Sequence, residues 1–123
     1  MTIQELYASI GGNYEQAVRV MKSDRLIDKY VRKLKSSNVG EALAEAGEAM
    51  DANRLFESAH AMKGVCANLG LDALATAADE ITEEFRPGNS RRLSDDEVRA
   101  KLGDIQEKYR ITTEGIRRYE EGA

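Results

Sequence analysis

The chain has 123 residues, 41% of them apolar and 33% charged, with 18 Lys and Arg against 22 Asp and Glu for a net charge of −4. That is the length of one domain, with enough apolar content to bury a core; the acidic balance argues against a nucleic-acid face, and no apolar run reaches the ~20 residues a membrane-spanning helix needs. One cysteine, Cys66, and one histidine, His60, exclude an internal disulfide, a cysteine-based zinc cage and any single-chain zinc site built on two or three histidines.

Helix-forming residues dominate, β-branched residues are sparse, and Pro87 is the single proline, so the spacing predicts helices throughout. Thr2-Ile3-Gln4-Glu5 has the form of a capping box. Gly11-Gly12 breaks the chain, and Asn13 caps a short helix expected to end near Lys22. Ser23 or Asp24 starts the next, in which Leu26, Ile27, Tyr30, Val31 and Leu34 keep helical spacing. After the polar break at 35–38, Val39, Leu43, Ala46 and Met50 form another apolar stripe. Asp51-Ala52-Asn53 is a turn and cap signal for a helix from Ala52 to Asn68, with Gly70 as its C-terminal cap. Leu71 to Arg86 is the next helix, with Leu74, Ala77, Ala78, Ile81 and Phe85 on one face. Its acidic pairs, Asp79-Glu80 and Glu83-Glu84, are expected mainly on the polar face, serving solubility and local ion pairing. Pro87-Gly88-Asn89-Ser90 is a loop. Ser94 to Glu97 is a second capping box, flanked by Leu93 and Val98 at staple positions. From Val98 through Leu102, Ile105, Tyr109, Thr112 and Ile116 to Tyr119, apolar positions recur at bundle-seam spacing. Gly103 and Gly115 weaken that helix, and its last turn is expected to fray. Short links imply antiparallel neighbours. The expected fold is one all-α domain over 1–123: an antiparallel four-helix bundle over 24–119 with short additional N-terminal helices over 1–22.

The segment Leu55 to Gly70 carries the chemistry. Leu55, Ala59, Met62, Cys66 and Leu69 define its buried stripe, and Cys66 and Met62 read as core. A helix turns about 100° per residue, which puts His60 about 140° from the centre of that stripe, facing solvent. Glu57, Lys63, Gly64 and Ala67 share its side. Glycine inside a helix costs about 1 kcal/mol relative to alanine, and at Gly64 core packing does not require it. A bare spot beside an exposed imidazole lets another molecule approach, and Lys63 adds a cation. Imidazole is a nucleophile near pH 7, and an adjacent ammonium stabilises phosphoryl oxygens. The residue types therefore suit a phosphoryl group carried on His60.

His60-Ala61-Met62-Lys63-Gly64, followed by Asn68-Leu69-Gly70, resembles the H-x-x-K-G signature of histidine-containing phosphotransfer (HPt) domains. The resemblance extends over about residues 24 to 118, and 2–22 resemble N-terminal helices of a bacterial subset. It implies an antiparallel four-helix bundle that carries phosphate between receiver-domain aspartates in multistep two-component relays. On that resemblance His60 is phosphorylated, Lys63 supports the phosphoryl group, and Gly64 gives the receiver room. Partner specificity is expected in the exposed residues around His60: Glu57, Ala67, Lys63 and the partly exposed Phe56. The implied partners are response-regulator receiver domains and a hybrid sensor histidine kinase. No cofactor is expected on this chain, any Mg²⁺ belonging to the receiver, and neither nucleic acid nor membrane is an expected partner. With no kinase motif and no leader, a stand-alone, monomeric, cytoplasmic carrier is expected rather than an enzyme.

Two other readings compete. Glu57-x-x-His60 has the spacing used by di-iron bundles, but those sites need two such motifs pointing inward. The second is a docking module of the same fold whose histidine is never phosphorylated. Acceptance of phosphate by His60 separates it from a carrier.

Overall fold

The computed structural model describes residues 1–122 and, among them, no strand. Seven helices follow one another: α1 (Ile3–Ile10), α2 (Tyr14–Met21), α3 (Asp24–Ser36), α4 (Val39–Ala49), α5 (Ala52–Asn68), α6 (Asp72–Glu84) and α7 (Asp95–Glu120). The family of starts read from the sequence is present. Thr2 Oγ1 accepts the Glu5 amide at 3.1 Å while Glu5 Oε1 accepts the Thr2 amide at 3.0 Å. Ser94 and Glu97 repeat that reciprocal pair at 3.1 and 3.0 Å. Ser23, Asn13 and Asp51 cap α3, α2 and α5 through their side chains. Each cap satisfies an amide that the first helical turn leaves without a partner.

The architecture is an all-α helical bundle with four legs. α3 and α4 form the first leg, broken at Ser37-Asn38. Along it, Asp28 meets Tyr119, the Leu34 carbonyl meets Tyr109, Gly40 meets Gln106 and Gly47 faces Leu102. Ascending residue numbers on this leg thus meet descending numbers on α7, which makes the two antiparallel. The links at 50–51 and 69–71 leave room only for a reversal of direction. Between the legs lie Leu43, Leu55, Ala59, Met62, Ile81, Ile105 and Ile116, all fully buried. The seam of α7 holds, with Val98, Leu102, Ile105, Thr112 and Ile116 buried.

Three expectations change. The end of α7 does not fray before Glu120: Glu120 meets Lys35 Nζ at 2.9 Å, and the Tyr119 hydroxyl donates to Asp28 at 2.6 Å. That hydrogen bond, with Arg32 beside it, holds the Asp28 carboxyl below the usual range. Gly115, read as a weak point, is a contact point. A methyl there would lie 2.3 Å from Ile10 Cγ2, so α1 packs on α7 only because no side chain intervenes. Glu84 is buried, not on the polar face. Its Oε2 accepts the amides of Arg92 and Leu93 at 2.9 and 2.8 Å, with the Arg91 guanidinium at 3.5 Å. The loop after α6 doubles back over the carboxylate, which local spacing could not reveal.

Candidate functional site

α5 carries the site in its middle and a tightly built exit at its end. The exit follows from Gly70. Its φ of +67° is left-handed, and the chain reverses through paired bonds: Leu71 N–H to Cys66 O at 2.9 Å and Gly70 N–H to Ala67 O at 3.2 Å. These are the two bonds of a Schellman motif. The N-terminal helices grip this turn. The buried Tyr7 hydroxyl donates to Leu69 O at 2.6 Å, and the Asn13 amide donates to Gly70 O at 2.8 Å. Burial pushes the Tyr7 phenol well above its ordinary value.

Two turns back, His60 is exposed, as are Glu57, Gly64 and Ala67. Leu55, Ala59, Met62 and Cys66 face the core, and burial pushes the Cys66 thiol up to about 12. The imidazole lies on the ring of Phe56, one turn earlier, with centroids 5.8 Å apart and planes within 8°. Phe56 is half-buried against the core. The guanidinium of Arg86, at the end of α6, covers the Phe56 ring at 5.3 Å from its centroid. Arg86 is in turn held by Glu83 through two bonds of 2.9 and 2.8 Å. That pairing lowers the Glu83 carboxyl below its ordinary value, with the charge of Lys63 adding to it.

Lys63 is half-buried rather than free in solvent. Its Nζ lies 2.8 Å from Asp79 Oδ1 on α6. That oxygen is shielded and accepts no directed hydrogen bond, so the ammonium meets it as a charge. Asp79 therefore faces the site instead of serving solubility alone. Asp79, Glu83 and Arg86 form an i, i+4, i+7 row that the sequence displays, but nothing local says which helix it faces. A methyl at Gly64 would touch nothing within 4 Å. Beyond Gly64, a groove of about 510 Å³ opens between α2, α3 and α5, lined in part by Val20, Leu26, Tyr30 and Val65. Val20, Leu26 and Val65 are exposed apolar side chains, and this groove was not read from the sequence. Among the described residues no three His, Cys, Asp or Glu side chains are grouped to hold a metal ion, and no helix is long and apolar enough to cross a membrane.

Compared with protein families, residues 32–111 match the Hpt domain. The chain belongs to this family. No curated protein and no solved structure gives a match. Hpt domains are phosphotransfer modules of two-component signalling and work as carriers that interact with receiver domains and histidine kinases. The matched stretch runs from within α3 to within α7 and contains His60, Lys63, Gly64 and Gly70. α1 and α2 lie outside it, yet they clamp the turn that ends this Hpt domain's α5.

Proposed function

We propose that this Hpt domain carries a phosphoryl group on His60, taken from and returned to receiver-domain aspartates. The observation that supports this most is the placement of His60: exposed mid-helix, one turn from the open position at Gly64 and one turn from the Lys63 ammonium. The in-plane lone pair of an imidazole nitrogen, assigned here to Nε2, attacks the phosphorus of the receiver's acyl phosphate. The P–N bond forms as the P–O bond to the aspartate breaks, and the electron pair leaves with the carboxylate. Return transfer reverses each step. Such a reaction depends mainly on alignment and on charges already in place. Any Mg²⁺ belongs to the receiver.

Lys63 supports the phosphoryl group after giving up or sharing its contact with Asp79. A phosphoryl group carries nearly two negative charges and three strong acceptor oxygens, so it competes well with one carboxylate. Glu57 and Ala67 border the face on which a receiver docks, and Gly64 lets its backbone come close. A hybrid sensor histidine kinase is the upstream source, and the carrier acts as a cytoplasmic monomer.

The test is transfer from a panel of phosphorylated receiver domains, beside a His60→Gln control. Acid-labile, base-stable label on the wild type alone is the expected result. Receiver binding without label would replace the carrier with a docking module.

A further inference from the structure

We infer that Phe56, braced by Arg86, is the positioning residue that sets the plane of the His60 ring. This rests on the reading of His60 as the phosphate carrier and adds to it a device for aiming the nucleophile. An exposed histidine on a helix ordinarily samples several rotamers on a fast timescale. In-line attack uses a lone pair that lies in the ring plane, so the orientation of that plane decides whether an encounter is productive.

Here the plane is set by a stack. Phe56 and His60 occupy i and i+4, neighbours on the helix surface, and their rings are parallel within 8° at 5.8 Å. That spacing is within the range of offset aromatic stacking. A stack has a property that a hydrogen bond lacks. It touches the face of the imidazole and leaves both nitrogens, which act at the edge, unengaged. One is free for phosphorus and the other for a proton.

Phe56 can act as a platform only if it is itself fixed. Its inner side packs against the core, and the Arg86 guanidinium covers its ring at 5.3 Å, a cation–π contact. Arg86 is in turn locked by the paired bonds to Glu83. The brace therefore runs Glu83, Arg86, Phe56, His60, from α6 to α5. Lys63 and Asp79 form a separate pair at the same face. The two cations of the site thus divide the work: Lys63 meets the phosphoryl group, and Arg86 acts through Phe56.

The experiment uses the full chain as wild type, Phe56→Leu, Phe56→Tyr and Arg86→Gln. Leucine keeps apolar bulk and helical propensity but removes the ring; tyrosine keeps the ring. NMR of the His60 ring protons reads the stack directly, as a ring-current displacement expected in wild type and Phe56→Tyr and lost in Phe56→Leu. Transfer from a phosphorylated receiver is measured across receiver concentrations, and phosphoramidate serves as a small donor that needs no docking. Phe56→Leu is expected to lower the saturating rate about tenfold with little change in half-saturating receiver concentration, and to slow phosphoramidate labelling as well. Arg86→Gln is expected to cost about threefold, and Phe56→Tyr to match wild type. A rise in half-saturating concentration alone would make Phe56 a docking contact and overturn the proposal, as would an unchanged saturating rate. If wild type accepts phosphate from neither donor, the positioning role falls together with the carrier reading. A ring-current displacement that persists then shows that the carrier reading failed and not the stack.

Discussion

A methyl group at Gly64 would meet nothing within 4 Å, whereas one at Gly70 would lie 2.2 Å from the Asn13 carbonyl oxygen. Gly64 sits inside α5 with ordinary helical neighbours; Gly70 sits past its end with φ of +67°. Both belong to the same short motif, and as letters they look equivalent. Gly70 is required by the fold twice, for its left-handed backbone and for the approach of the α1–α2 connection. Nothing in the fold requires Gly64, and a glycine there costs helix stability. The contrast separates the motif into a part that builds the domain and a part that the fold leaves open.

The sharpest way to break this contrast is Gly70→Ala. A left-handed alanine and a collision with backbone together predict a loss of about 3 kcal/mol, seen as a lowered urea midpoint. Unchanged stability would mean that the turn has slack. Gly64→Leu is expected to act oppositely: receiver binding lost through bulk, with a urea midpoint at or above wild type. Binding that survives would place the docking partner elsewhere. Tyr7→Phe probes the same exit more gently. It removes the donor to the Leu69 carbonyl without changing the apolar fill, and about 1 kcal/mol of stability should go with it. The smallest effect is expected from Gly64→Ala, a gain of about 0.5–1 kcal/mol, and a loss there would mean that Gly64 has a structural task after all.

Much of the fold was legible because its signals are local. The capping boxes at Thr2 and Ser94, the bounds of α5, the buried stripe from Leu55 to Leu69 and the outward face of His60 all depend on residues within a turn or two of each other. The family resemblance rested on His60 to Gly64 and on Asn68-Leu69-Gly70, read together with the all-helical pattern and the outward face of His60. What was misread depends on distant partners. Glu84 looked like a surface charge until the loop at 92–93 folded over it. Lys63 looked free until Asp79 arrived from the next helix.

Helix propensity, caps and a period of ~3.6 residues act through the chain's nearest neighbours, so the sequence alone yields helix positions, the inward and outward faces of α5, and the histidine's exposure. Which charges meet across two helices, and which ring the histidine rests on, depends on how α5 and α6 lie against each other. Arg86 stands 26 residues from His60 in the chain and reaches its neighbour Phe56 only because packing the buried stripes of α5 and α6 brings their outer edges together. No spacing rule within one helix contains that distance.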